Sequence, residues 1–162
     1  MDISKLNEWF TLTANLGVIA GIIFLGFEIQ QNTEMMQAQT RDSMSEKQMD
    51  WFMGIATNLD TAEIHNTFQR EGLNNPEREP FEEMAFIFTI FAGLRMWENE
   101  WYQYQKGLYE EEEFLARSRA WPGALRQTGY SQVWEDVRLQ YAPEFGEYLD
   151  AILNDDQSLN QN

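Results

Sequence analysis

The chain of 162 residues contains no cysteine and a single histidine, His65. The absence of cysteine excludes disulfides, a thiol nucleophile and thiolate metal sites. One histidine cannot build a histidine-rich metal site. The sequence "EIH" at 63–65 also lacks the Glu-x-x-His spacing of di-iron helical bundles. We therefore expect no metal and no cofactor.

Basic residues are scarce, with 11 Lys and Arg against 27 Asp and Glu, which gives a net charge of -16. A surface of this sign does not attract phosphate backbones, so we expect no nucleic-acid partner. Residues 1–29 carry only -2, and the other 133 residues carry -14. The acidic surface therefore belongs to the C-terminal part, where it serves solubility or, alternatively, the recognition of a basic partner.

One long run without charge extends from Trp9 to Phe27, within an apolar stretch of 21 residues that ends at Ile29. About 20 apolar residues of helix are needed to cross the hydrocarbon core of a bilayer. A buried helix of a soluble protein and a signal peptide are the alternatives. The N-terminal residues are net acidic and no small-residue cleavage site follows, which disfavours a signal peptide. We predict one transmembrane helix within residues 1–29.

The segment Met84–Leu94 is equally apolar but has only 11 residues. This length is too short for a span and predicts a helix buried on all sides within a globular domain. A short acidic N-terminus crosses a membrane more readily than a folded domain. We therefore expect a single-pass protein of the bacterial inner membrane with its C-terminal domain in the cytoplasm.

Small and polar side chains share one side of the predicted span. At 100° per residue, the stripe contains Thr13, Ala14, Gly17, Gly21 and Glu28. The Gly17-x-x-x-Gly21 spacing permits close approach of two helices in lipid, although glycines are also common in spans by chance. Asn15 lies toward the opposite side and would be costly against lipid alone. These features predict a homo-oligomer.

Residues 30–53 are polar and contain no helix-breaking residue before Met53. We predict a helical stalk there, continuous with the span, rather than a flexible linker rich in Gly, Ser and Pro. As a helix it would be about 36 Å long. An acidic helical domain follows over residues 54–154, and residues 155–162 form a frayed tail. No long stretch alternates with a period of two, so the fold class is all-α.

Helix signals divide the predicted domain. Asp60 or Thr61 is expected to cap one helix, and a long helix from about Pro80 to Lys106 is expected to end at Gly107. A third helix is predicted from Glu110 to Trp121, before an interruption at Pro122 and Gly123. Further helices are predicted to start at Ser131 and at Pro143.

The central helix carries a polar set at intervals of three and four residues, formed by Arg95, Glu98, Asn99 and Tyr102. Such spacing places the side chains on one face. We predict a polar seam that joins this helix to its neighbours, with a carboxylate–arginine ligand site as the alternative. The four glutamates at 110–113 point in different directions around a helix, and no Gly-rich phosphate loop exists. The sequence therefore predicts no enzyme.

Three segments resemble a widespread uncharacterised proteobacterial family that combines one N-terminal span with a small helical domain. They are "LGVIAGIIFLGFEIQQNT", "RMWENEWYQYQKGLYEEE" and "YAPEFGEYLDAIL". The matching positions are Gln31, Asn32, Thr33, Arg95, Glu98, Asn99, Tyr102, Gln103, Gly107 and Leu108. An arginine usual after the span in that family is Gln30 here. The resemblance implies the same architecture and no known activity.

Three functions remain open at this level. The leading one is a membrane-anchored, self-associating protein with a scaffolding or accessory role and an unidentified protein partner. The second is a small homo-oligomeric channel with Thr13 or Asn15 lining its lumen, against which no selectivity element is visible. The third is a binding module for a partner or small ligand near Arg95 and Glu98.

Overall fold

The computed structural model describes the backbone of residues 3–159 and the side chains of residues 3–153, and all regular structure in that range is helical. The all-α prediction is confirmed. The helices, with one 3-10 turn at Arg138–Gln140, are α1 (Ile3–Ala56), α2 (Leu59–Glu71), α3 (Pro80–Gln105), α4 (Glu111–Ser118), α5 (Trp121–Leu125), α6 (Thr128–Val137) and α7 (Pro143–Leu159).

The chain divides into two compact units, Met1–Gln39 and Thr40–Asn162. This differs from the expected division into 1–29, 30–53, 54–154 and 155–162. Helix α1 runs unbroken through the predicted stalk, as expected, but residues 40–53 belong to the second unit. The reason is tertiary packing, since Met44 is only 3% exposed and Trp51 packs against the core.

The predicted tail, residues 155–162, lies partly within the last helix. Helix α7 continues to Leu159, because neither glycine nor proline follows Gly146 to end it. Residues 160–162 of the predicted tail lie outside the described part of the chain.

Two helix boundaries follow directly from local chemistry. Helix α3 begins at Pro80 behind a capping box, in which Glu79 and Glu82 each accept a backbone N–H of the other. It ends at Gln105, one residue before the predicted Lys106, and Gly107 follows with a φ of +69° that suits glycine. There the Leu108 N–H donates to the Gln103 carbonyl at 3.0 Å, which satisfies a carbonyl of the last turn.

Other boundaries lie a few residues from their predicted positions. Asn58 caps α2, because its side chain accepts the N–H groups of Asp60 at 3.0 Å and Thr61 at 3.3 Å; the predicted caps were therefore wrong. The predicted helix 110–121 ends earlier, at Ser118. Pro122 does not interrupt but stands near the start of α5, where its missing N–H costs nothing.

Helix α6 begins at Thr128 rather than at the predicted Ser131. Its start packs on α2 at a point where only glycine fits. A Cβ on Gly129 would lie 2.1 Å from the carbonyl oxygen of Phe68. The close approach of the two backbones therefore requires glycine at this position, and no side-chain cap marks the start of α6.

Aromatic side chains dominate the core of the second unit. Trp97 stacks on Trp121 with 5.1 Å between ring centroids, and the Phe145 ring meets Trp97 edge-on at 5.7 Å. Phe68 stacks on Phe86 at 5.6 Å between the α2 and α3 helices. Large rings bury much area per residue, which allows short helices to enclose a core.

Candidate functional site

The first candidate surface is the apolar half of α1. Every residue from 3 to 36 is exposed, including Val18 at 61%, Ile22 at 64% and Leu25 at 60%. Helix α1 is long and apolar enough to cross a membrane, by length and composition, and none of its most apolar window is buried inside the protein. A core helix of a soluble protein would bury such side chains, so this surface is available to lipid or to another protein.

The predicted stripe lies on this open surface. A Cβ added at Gly17 or Gly21 would meet nothing within 4 Å, so the protomer itself does not require glycine there. Thr13 donates its hydroxyl to the Trp9 carbonyl at 2.9 Å, which satisfies that donor within the helix. Ala14 is exposed between them.

The polar members of the span lie beside open depressions on the helix surface. Asn15 borders one together with Glu8 and Thr11. Glu28 borders another, near the polar residues Gln31 and Asn32. Both depressions are formed by one helix alone, so neither encloses a ligand.

The predicted polar seam separates into two contacts and one surface residue. Arg95 and Glu98 form an ion pair with 2.6 Å between Nη1 and Oε2. Asn99 instead faces α1, with its amide 3.5 Å from the Met44 sulfur. Tyr102 is 50% exposed and lies under the Lys106 ammonium, which is 5.3 Å from the ring centroid.

Arg95 and Glu98 hold the segment between the 3-10 turn and α7. Arg95 donates to the Gln140 carbonyl at 2.6 Å, and its guanidinium lies 4.1 Å from the centroid of the Tyr141 ring. The other carboxylate oxygen of Glu98 accepts the Ala142 N–H at 2.7 Å. Both charged ends therefore contact the protein's own groups, and this arrangement joins elements rather than presenting a ligand site.

The structure shows a second polar cluster, which the sequence analysis does not predict. Glu100 is 1% exposed, and its Oε1 lies 3.2 Å from Nη1 of Arg117 on α4. The other terminal nitrogen of Arg117 donates to Gln48 on α1. Glu100 shares the helix face of Ile90 and Trp97, and a glutamate at that spacing within an apolar face was the signal that could have revealed it.

Burial governs the electrostatics of this cluster. It raises the pKa of Glu100 to about 7, against the opposing effect of Arg117, and the neighbouring Glu113 carboxylate raises it further. Burial also raises the pKa of Tyr109, beside the cluster, to about 12. Its ring centroid lies 5.8 Å from the Arg117 guanidinium carbon. Glu100 is thus a carboxyl group that takes up a proton near neutral pH.

His65 lies among the rings of Trp51, Phe86 and Tyr130. Its Nε2 is 2.9 Å from the Tyr130 hydroxyl, while its buried Nδ1 has no hydrogen-bond partner among the described residues. Burial lowers the pKa of His65 and favours the neutral ring. In the described part of the chain, no group of three or more His, Asp or Glu side chains is arranged to hold a metal ion.

Helix α3 exposes a further apolar face. The prediction that the segment Met84–Leu94 is buried on all sides is wrong, because only one face of α3 meets the core. Phe86, Ile90 and Leu94 are buried, whereas Met84 is 56% and Phe88 64% exposed. Phe81, one turn earlier, is 68% exposed. Three large apolar side chains on one side of a surface helix are typical of a contact surface.

Comparison with known proteins gives no assignment. No family model matches the chain, and neither the curated proteins nor the solved structures contain a significant match.

Proposed function

We propose that the protein is a single-pass membrane protein with a scaffolding or accessory role, which self-associates through α1 and is not an enzyme. The observation that carries the proposal is the exposure of the uncharged segment Trp9–Phe27 along its whole length. About 19 residues of helix extend roughly 28 Å, close to the thickness of a hydrocarbon core. In water this surface would expose more apolar area than a soluble monomer tolerates.

The second unit, Thr40–Asn162, which we call the compact unit, supplies the accessory role in this proposal. Its titratable interior groups contact one another: Glu100 with Arg117, and His65 with Tyr130. These contacts support a structural role rather than a catalytic one. The exposed face formed by Phe81, Met84 and Phe88 is a surface on which a protein partner could pack.

We further propose a bacterial inner-membrane location with the compact unit in the cytoplasm. Residues 30–162 include the compact unit and carry a net charge of -14, and a folded unit with so many charges does not readily cross a bilayer after its synthesis in the cytoplasm. The resemblance of residues 95–108 to a proteobacterial family agrees with this location.

Carbonate extraction of native membranes tests the anchor. The full-length chain should remain in the pellet, and a variant carrying both Val18→Arg and Ile22→Arg should move to the soluble fraction. Each arginine near the centre of a span costs about 2.5–3.5 kcal/mol on insertion scales. Phe88→Arg on α3 is the matched control and should stay in the pellet. Recovery of the wild-type chain in the soluble fraction would contradict the proposal.

The topology has its own test, because the chain lacks cysteine. A thiol introduced by Asn7→Cys should react with a membrane-impermeant maleimide in spheroplasts, whereas one introduced by Glu135→Cys should react only after lysis. Both positions are exposed. The reverse pattern would place the compact unit outside the cytoplasm.

A further inference from the structure

The last part of α1, residues 40–56, contacts residues that adjoin the buried carboxyl group of Glu100; we call residues 40–56 the lid segment. Gln48 accepts a hydrogen bond from Arg117, which is paired with Glu100 at 3.2 Å. Met44 is 3% exposed and contacts the Asn99 amide, next to Glu100 on α3. A single helical segment therefore lies against the groups that adjoin the carboxyl group.

Side chains at three positions along the lid segment attach it to α3 and α4. Arg41 pairs with Glu113 of α4 at 3.2 Å near its start. Further along the lid segment, Gln48 contacts Arg117, which also belongs to α4. Near its end, Trp51 donates its indole N–H to the Thr89 carbonyl at 2.9 Å. Water can replace the polar contacts when the segment moves away, whereas Met44 and Trp51 then lose their apolar packing against the rest of residues 40–162. This packing favours the closed form.

The charged and titratable groups around Glu100 come from several elements. Helix α4 provides Arg117 and Glu113, and the connection before it provides Tyr109. The lid segment provides Arg41, which reaches the cluster through Glu113. Two arginines therefore face two carboxylates, of which Glu100 is almost completely removed from water.

The burial of Glu100 makes the stability of the closed arrangement depend on pH. Burial raises the pKa of Glu100 to about 7, so the closed form favours a neutral carboxyl group near neutral pH. If the lid segment moves away, water reaches Glu100 and Arg117, and the carboxyl group regains the acidity of an exposed glutamate. Closing then takes up one proton from solvent onto Glu100, and opening releases it.

We propose that residues 40–56 form a movable lid over Glu100, whose closing is coupled to protonation of that carboxyl group. Raising the pH favours the open form, because only the open form holds the ionised carboxylate in water. This coupling rests on contacts within residues 40–162 and goes beyond the proposed membrane role, on which it does not depend.

Distances between two spin labels test the lid in the full chain in detergent micelles. The absence of native cysteine allows one pair of labels, introduced by Glu46→Cys on the lid and Ala116→Cys on α4, both at exposed positions. A single short distance is expected near pH 5.5. A second, longer distance should gain population as the pH rises, with the open-to-closed ratio increasing roughly tenfold or more by about pH 8.5.

Two variants separate Glu100 from the other titrating groups. Glu100→Gln imitates the neutral carboxyl group and should keep the short distance over the whole pH range. His65→Phe is the matched control and should retain the wild-type pH dependence. A wild-type distance that does not change with pH, or a Glu100→Gln variant that changes like wild type, would overturn the proposal.

A second measurement needs no substitution at Glu100. In the labelled wild type, the infrared carbonyl band of a protonated buried carboxyl group should disappear over the same pH range in which the longer distance appears. Disappearance of the band without any change in distance would show that protonation and lid movement are not coupled.

Discussion

Trp51 of α1 packs directly on Gly93 of α3. A Cβ built at Gly93 would lie 2.9 Å from Cζ2 of the indole, and the same indole contacts the ring of Trp121 with 5.9 Å between centroids. The glycine thus provides the space into which the tryptophan fits. This contact is one of the points at which α1 joins the compact unit.

Replacing Gly93 with alanine should destabilise the compact unit, because the added methyl group collides with Trp51. Overpacking of this kind costs about 1–3 kcal/mol. Chemical denaturation followed by tryptophan fluorescence measures the loss. Gly54→Ala is the matched control, since a Cβ there meets nothing within 4 Å and alanine favours a helix by about 0.5–1 kcal/mol. Equal effects of both substitutions would contradict the Trp51 contact.

Removal of the Glu98 carboxylate should detach the segment that precedes α7. Glu98→Ala leaves the Ala142 N–H without its acceptor and Arg95 without its carboxylate, which costs about 2–3 kcal/mol. Asp150→Ala is the control, because its pair with Arg138 is partly exposed and such pairs contribute about 0–1 kcal/mol. Unfolding free energies of the two variants should therefore differ clearly, and a larger loss for Asp150→Ala would refute this view.

Fragments with different starting points should reveal where the compact unit begins. A fragment starting at Thr40 retains Met44 and Gln48, whereas one starting at Trp51 lacks both. The shorter fragment should be less stable by about 2–3 kcal/mol, since burying one methionine contributes about that much. Circular dichroism during thermal unfolding gives the comparison. Equal stabilities would place the boundary near residue 54, as the sequence suggested.

The pH dependence of stability should change when His65 is replaced. Burial lowers the pKa of His65, so its ring stays neutral in the folded protein while the unfolded chain takes up a proton below about pH 6.5. Its contribution to stability is present above that pH and is lost as the pH falls.

The matched measurement compares wild type with His65→Phe, which retains a ring without titration. Wild-type stability minus that of the variant should decrease from about pH 7 to about pH 5. The slope should stay well below the limit of about 1.4 kcal/mol per pH unit, because the ring is only partly buried. The contribution of Glu100 to stability changes with pH in the opposite direction. It is the same in wild type and variant and therefore cancels in the difference. A difference that is independent of pH would exclude this role of His65.

Self-association should depend on the glycines of the α1 stripe. Gly17→Leu and Gly21→Leu fill the surface that allows two helices to approach, so both should give a smaller species than wild type in detergent; Gly17→Ala should be tolerated. Gly26→Leu, on the opposite side and equally unobstructed, is the control. Cross-linking or mass photometry reports the mass. A monomeric wild type would end the idea, and an unchanged mass in both Leu variants would place the contact elsewhere.

Local patterns in the sequence were sufficient for the helical class, the apolar segment of α1 and the ends of α3. Pro80 and Gly107 act through their own backbone preferences, which need no tertiary partner. The length of the uncharged segment is likewise a property of the chain alone. These features could be predicted because each depends on residues only a few positions apart.

The remaining features depend on residues far apart in the sequence. Gln48, Glu100 and Arg117 come together only when α1, α3 and α4 pack, and no local pattern relates their positions. The same holds for Gly129, whose role is set by a carbonyl oxygen 61 residues earlier in the chain. Packing also assigned residues 40–53 to the compact unit and left Phe88 exposed, because hydropathy gives the number of apolar side chains but not the face that a neighbour covers.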